Sequence, residues 1–311
     1  MSGPKASVVI PTLNAGPEFA ATLDGVFAQK TDADLEVLVL DSGSTDGTRE
    51  LARARGAAVH DVPGGSFDHG ATRDLGLSLA AGEYVALLVQ DAVPLDDRWL
   101  FAMVEDLDDP LVAGVYGRQV PRPGSGPLAR VLVTNAPTAG RERREQHAGG
   151  PERYRALPPA RRRELALFDN VSSCLRRAVW EEIPFGRTGF GEDLRWGERV
   201  VARGYKLVYE PRSAVVHSHE RGPLYDLRRH YAEGLLLLDL FGLAPVPTLA
   251  SVLLNSALAS AHLLRRLLID ERAGWRSPPL AVRHAVASQL GMYLATRRLP
   301  ARLDAFLGGG V

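Results

Sequence analysis

The chain has 311 residues, with 37 basic and 37 acidic side chains and a formal net charge of zero. Its 45% hydrophobic and 24% charged residues are ordinary globular values, which exclude a disordered chain, a collagen-like repeat and a disulfide scaffold. The zero conceals an asymmetry, because residues 1–110 carry 19 acids against 7 bases and residues 111–311 carry 18 against 30.

Residues 7–10 are a short β-branched run ended by Pro11 and read as a buried strand. Phe19, Leu23, Val26 and Phe27 have helical spacing within residues 18–29. A second buried strand, residues 35–40, ends on Asp41, and Ser44 or Thr45 is placed to cap a helix running to residue 55. Residues 57–60 read as a third strand, 69–80 as a helix, and 84–89 as a fourth strand ending at Gln90–Asp91. Short apolar strands alternating with helices predict a parallel sheet covered on both faces. Residues 124–163 are rich in Arg, Gly and Pro and read as a loop and short-helix excursion. Strand character returns at 168–175, 206–209 and 214–217, with a helix at 192–203 between them. From residue 223 the pattern is helical, at 225–241, 248–268 and 280–297, and residues 308–310 read as a frayed end. The expected division is an α/β domain over residues 1–222 and a helical region over 223–311.

The opening MSGPKASVVIPTLN has too short an apolar run for an export signal, so a cytoplasmic location is expected. The longest apolar stretch, residues 235–268, is broken by Asp239, Pro245, Pro247, Asn255, His262, Arg265 and Arg266. It reads as buried or interfacial helices rather than a membrane span. The lone Cys174 allows neither an internal disulfide nor a cysteine-based metal cage.

In open α/β sheets, ligands bind at the carboxyl ends of the strands. Here Pro11, Thr12 and Asn14 follow the first strand, Asp41 and the turn Ser42–Gly47 the second, and Gln90–Asp91 the fourth. Asp41 and Asp46 equally suit a turn and a helix cap. Phosphatases with an Asp at a strand end need a second Asp two positions on, whereas four residues separate Asp41 from Asp46. Neither GxxxxGK[ST] nor a strand-linked GxGxxG occurs.

The segments SVVIPTLNAG, LEVLVLDSGSTDGT and FDHGATRDLGLSLAAGEYVALLVQDAVPLDDRWL resemble family 2 inverting glycosyltransferases of the GT-A fold, and most of all their bacterial rhamnosyltransferase branch. FDNVSSCLRRAVWEEIPF, GFGEDLRWGERVVARGYKLVYEP and AVVHSHE continue the resemblance in order, over about residues 6–235. It implies an α/β, GT-A type fold, with a mostly parallel central sheet flanked by helices and a C-terminal helical appendage. Pro11, Thr12, Asn14 and Asp41 match positions that hold the donor nucleoside, where a carboxylate can accept the imide N–H of uracil or thymine. Arg73 matches a basic residue near the pyrophosphate, and Asp74 stands where that family usually has Asn. Gln90–Asp91–Ala92 takes the place of a DxD motif, which leaves Asp91 as the main carboxylate for Mg²⁺ or Mn²⁺. His217 and His219 match a late histidine that completes the metal shell, and in a strand they would point the same way. Asp193 matches the catalytic base, with Glu192 supporting the site or touching the acceptor. Trp196 is expected to line the acceptor pocket, and Asn170, Ser172 and Ser173 to lie near donor sugar or acceptor.

The implied reaction transfers a sugar, rhamnose from dTDP-rhamnose, to a saccharide or lipid-linked saccharide hydroxyl in cell-surface polysaccharide synthesis. A UDP- or GDP-hexose donor is the alternative, and a catalytically inactive saccharide-binding or partner-binding homologue is the non-enzymatic one. A nucleotidyltransferase would want a Gly-rich loop with Lys or Arg after the first strand, and PTLNAGPEF offers neither. No nucleic-acid partner is expected, because the Arg-rich segment lacks a motif and interleaved aromatics. Arginines between 141 and 177 are expected to face the donor diphosphate or an anionic acceptor. For the C-terminal helices, packing on the main domain, a homodimer and peripheral membrane contact stay open.

Overall fold

Strands β1 (Ala6–Thr12), β2 (Glu36–Asp41), β3 (Ala58–Asp61) and β4 (Tyr84–Leu88) form a parallel half-sheet in the order β3-β2-β1-β4. Their side chains alternate between two apolar layers: Val8, Ile10, Val37 and Val39 enter one, and Val9, Leu38 and Leu40 the other. Burial on both faces explains why these strands read as unbroken apolar runs. The computed structural model describes residues 6–30, 35–62, 67–274, 277–297 and 299–308. Residues 1–5 of the opening segment and residues 309–310 of the expected frayed end lie outside these.

The sheet continues through β5 (Val93–Pro94), β6 (Val112–Val120), β7 (Arg144–Gln146), β8 (Ser172–Arg176) and β9 (Lys206–Val216), in the order β4-β8-β6-β9-β5 with β7 beside β9. β8 runs antiparallel between β4 and β6, while β6 and β9 are parallel. The parallel expectation therefore describes the N-terminal half, and the second half is mixed. An antiparallel strand begins where its parallel neighbour ends, so the start of β8 meets the carboxyl end of β4, with Ser172 opposite Leu88.

Helices α1 (Phe19–Phe27), α2 (Thr48–Ala54), α3 (His69–Leu79) and α4 (Trp99–Asp106) precede α5 (Pro127–Asn135). Then come α6 (Pro151–Ala156), α7 (Pro159–Leu165), α8 (Arg177–Glu182) and α9 (Glu192–Ala202). Two elements, α2 and β9, differ from expectation for local reasons. α2 starts at Thr48 behind Gly47, whose φ of +89° suits glycine, so neither Ser44 nor Thr45 is its cap. Within the loop and short-helix excursion expected at 124–163, the helices open at Pro127, Pro151 and Pro159, where a missing N–H costs nothing. The two short strands expected at 206–217 are one strand, interrupted where Gly117 pairs with Glu210 and Arg118 with Ala214, so that residues 211–213 bulge.

The chain divides into two units, Met1–Val120 with Pro137–His217, and Pro121–Ala136 with Ser218–Val311. Beside the expected boundary at 222, the excursion holding α5 groups with the C-terminal helices, and so do residues 218–222. That second unit adds α10 (Pro223–Phe241), α11 (Leu249–Ile269), α12 (Ser277–Ala295) and α13 (Ala301–Gly308). α10 and α12 approach closely at small residues, since a Cβ on Gly291 would lie 2.4 Å from the Leu227 carbonyl oxygen. α11 begins with a capping box between Thr248 and Ser251. Its Leu263 and Leu267 are buried with Val131, Ala281 and Ala285. Four other leucines of this helix, Leu249, Leu253, Leu254 and Leu258, are exposed by 60–74%. By length and composition α11 is long and apolar enough to cross a bilayer, with 22% of its most apolar window buried.

Candidate active site

Three strand ends are tied together around the crevice. Thr12 Oγ1 donates to Asp41 Oδ1 at 3.2 Å, while the Gly43 and Ser44 N–H groups donate to Oδ2 at 3.0 and 2.9 Å. Burial works to raise the pKa of Asp41, but these donors together hold its carboxyl below the usual range. Asn14, exposed and at φ +46°, donates its N–H to Ser44 Oγ at 2.8 Å and accepts from Thr45 N–H at 2.9 Å. Gln90 Oε1 accepts from Leu13 N–H at 2.9 Å, which links the end of β4 to the end of β1. Pro11 is half-buried within β1.

Past β4 and β9, His217 Nε2 lies 3.6 Å from Asp91 Oδ1. The other ring nitrogen, Nδ1, is 2.9 Å from Gln119 Oε1, and Gln119 Nε2 donates to Asp169 Oδ2 at 2.8 Å. The carboxylate of Asp169 fixes which way the Gln119 amide faces. Its oxygen must then accept from Nδ1–H, and in the neutral ring the Nε2 lone pair is directed at Asp91. Asp91, His217 and His219 offer ligand atoms that all lie within 4.8 Å of one another. β9 ends at Val216, so both histidines follow the strand and the expected strand alternation does not orient them.

α9 opens behind Gly191 at φ +70°. Glu192 turns inward and is buried, with Oε1 3.2 Å from Arg73 Nη1 and accepting from Asn170 Nδ2 at 3.1 Å. Ser173 Oγ donates to Asn170 Oδ1 at 2.9 Å, which continues the network beneath the crevice. Burial pushes the Glu192 carboxyl up, yet the Arg73 guanidinium, His69 and the Asn170 amide bring it below its usual value. Asp193 is half-exposed on the next position, about 100° round the helix. Its Oδ1 accepts from Leu194 N–H at 2.7 Å.

Several expected contacts are corrected here. Arg73 is 5% exposed and turned to Glu192, with which it forms a buried ion pair. Trp196 is fully buried between Phe168 and Phe185 and donates Nε1–H to the Ile183 carbonyl at 2.8 Å. It is core, because its place one turn after Glu192 faces the sheet. Ser172 is likewise internal, accepting from Trp99 Nε1 at 2.8 Å. Among the arginines expected to face an anion, Arg143 pairs with Asp106 and Glu145, Arg161 with Glu164, and Arg177 with Glu181. Nothing local marks Gln119 or Asp169, since Gln119 meets His217 98 residues later in the chain and Asp169 acts on that histidine only through Gln119.

A half-parallel sheet with its polar crevice at the strand ends is the architecture of the GT-A glycosyltransferases. The sequence profile of Glycosyl transferase family 2 matches residues 7–164, and the chain belongs to that family. It is 28% identical over 238 residues to the O-antigen chain rhamnosyltransferase RfbN of Salmonella typhimurium, covering 74% of this chain and 72% of that protein. It is 26% identical to the O-antigen chain rhamnosyltransferase WbaN of Salmonella anatum, covering 75% and 72%. Solved structures share the fold. S. aureus TarS 1–349 in complex with UDP-GlcNAc aligns with a TM-score of 0.55 and 16% identity over 93% of this chain and 89% of that one. Glucosyl-3-phosphoglycerate synthase from Mycobacterium tuberculosis, in complex with Mg²⁺ and UDP, aligns with 0.55 and 20% over 78% and 80%.

Proposed function

We propose that this glycosyltransferase moves a sugar from a nucleoside diphosphate to a saccharide hydroxyl with inversion, and that Asp193 is the base. The observation that carries the reading is the division of labour at the start of α9. Glu192 is buried and neutralised by Arg73, while its neighbour Asp193 is half-exposed, about 100° round the helix. Asp193 takes the proton of the acceptor hydroxyl as that oxygen attacks the anomeric carbon. The bond from that carbon to the diphosphate oxygen breaks, and the nucleoside diphosphate departs from the opposite face. A single displacement needs no second catalytic carboxylate, unlike retaining glycosidases. Thr12, Asn14 and Asp41 hold the nucleoside at the ends of β1 and β2, and Gln90 keeps the neighbouring loop in place.

Asp91, His217 and His219 would hold a divalent cation, which when bound offsets negative charge on the departing diphosphate. Two imidazoles with one carboxylate suit Mn²⁺ better than Mg²⁺, which prefers oxygen ligands. The likeness to two Salmonella rhamnosyltransferases supports rhamnose as the sugar moved, and this reading takes dTDP-rhamnose as its donor. The test combines donor and metal. Thermal shift with dTDP, UDP and GDP is expected to single out dTDP, and chelation to abolish transfer, with Mn²⁺ restoring it more fully than Mg²⁺. Full activity in excess chelator would remove the metal role of Asp91.

The exposed leucines of α11, with Arg265 exposed on the same helix, suit an anionic lipid surface carrying a lipid-linked acceptor. Co-sedimentation with phosphatidylglycerol vesicles is expected, and Leu253→Asp with Leu258→Asp should abolish it. Equal binding to neutral vesicles would remove the role of anionic lipid, and light scattering that rises with protein concentration in the absence of lipid points to a homodimer instead.

A further inference from the structure

Residues 183–191, between α8 and α9, have no regular structure, yet they deliver α9 and with it Asp193. α3 grips this segment along one flank. Its N-cap, Asp68, accepts from Ala71 N–H at 2.7 Å and from Thr188 N–H at 3.0 Å through the same oxygen. Gly70 N–H donates to the Thr188 carbonyl at 3.2 Å. A Cβ on Gly70 would stand 1.9 Å from the Gly186 carbonyl oxygen, so only glycine allows this approach. One turn on, Asp74 accepts three N–H groups: Trp180 Nε1 at 2.7 Å and Phe185 N at 2.9 Å on Oδ1, and Gly186 N at 2.7 Å on Oδ2. Its neighbour Arg73 holds Glu192 at the segment's far end, and Arg199 of α9 donates back to the Phe185 carbonyl at 2.9 Å.

Every partner of Asp74 is a donor, so only a group with two accepting oxygens satisfies all three. An asparagine would turn its own NH₂ toward one of these N–H groups and leave it unpaired. The carboxylate at this position is therefore matched to the segment it holds. We propose that Asp74 is a positioning residue for sugar transfer: its carboxylate sets the register of residues 185–188 and so the place from which Asp193 acts. This rests on Asp193 being the base.

The experiment compares the full-length wild type with Asp74→Asn, Trp180→Phe and Asp193→Asn. It reads hydrogen exchange over residues 183–191, the thermal midpoint, the Kd for dTDP or UDP, and kcat and KM. Turnover uses whichever of dTDP-rhamnose, UDP-glucose and GDP-mannose the wild type consumes. Asp74→Asn is expected to speed exchange of the Phe185 and Gly186 amides and to lower kcat about 10- to 100-fold, the scale of a 1 Å misplacement. KM and Kd are expected to stay within about twofold, because the nucleoside is held elsewhere. Trp180→Phe, which leaves two of the three donors, should show a smaller loss in the same direction, and it decides the matter if Asp74→Asn fails to fold. Wild-type kcat in Asp74→Asn alongside an inactive Asp193→Asn overturns the positioning role and leaves the base standing. A joint collapse of kcat, Kd and thermal midpoint also overturns it, since that marks mere support of the fold. An active Asp193→Asn overturns the base assignment itself.

Discussion

Asp193→Asn is expected to lower kcat and kcat/KM together by about 10²–10⁴-fold, the usual worth of a general base, while nucleoside diphosphate binding is unchanged. The substitution is nearly isosteric and falls on a half-exposed side chain whose Oδ1 accepts from the Leu194 amide, a bond the asparagine oxygen can keep. The amide simply cannot take up a proton. Calorimetry with the nucleoside diphosphate and stopped-time product analysis separate the two effects. Near wild-type turnover would place the base elsewhere. Glu192 is the wrong alternative, because it is buried against Arg73 and Asn170 with its charge already committed.

Arg73→Ala is expected to be the most destabilising single change in this network, by about 3–5 kcal/mol, because it strands a buried carboxylate. Both partners are at least nine-tenths buried, so solvent does not screen the loss. The pH dependence has a definite sign. In the wild type the Glu192 pKa is depressed below 4.5, so its contribution to stability is present above that value and is lost as pH falls through the folded pKa. Without Arg73, burial raises the Glu192 pKa, and the variant then loses stability as pH rises through the range between the two values. The gap in thermal midpoint between wild type and Arg73→Ala should therefore narrow from neutral toward acidic pH. A gap independent of pH would mean that lost packing, not stranded charge, sets the deficit. Replacing both partners, as Arg73→Met with Glu192→Leu, should recover much of the stability.

Much of this site was legible because its parts sit at strand ends and helix starts, where local pattern and function coincide. The runs before Thr12, Asp41 and Gln90 are apolar enough to be buried strands, and the residues that follow them line the crevice. Glu192 and Asp193 were legible as the first turn of a helix, but which one faces inward depends on Arg73, well over a hundred residues earlier in the chain. The same non-locality hid Gln119 and Asp169, each half of a chain of hydrogen bonds to His217. Trp196 was misjudged because helical spacing tells that a residue shares a face with Glu192, not that the face is the buried one. The antiparallel β8 had no signature of direction, since an apolar run reads the same either way.

The late arrival of β8 bears on how the chain is made. β4 is buried along all five residues, and the flank away from β1 is covered by β8. During translation that flank stays an open row of unpaired amides with apolar neighbours until residue 176 has emerged, a template for pairing with another nascent chain. A fragment cut at residue 164, where the family profile ends, keeps this exposed edge and loses Asn170, Glu192, Asp193 and His217. Chimeras joined there are expected to be insoluble as well as inactive, whereas a junction beyond β9 leaves the sheet closed.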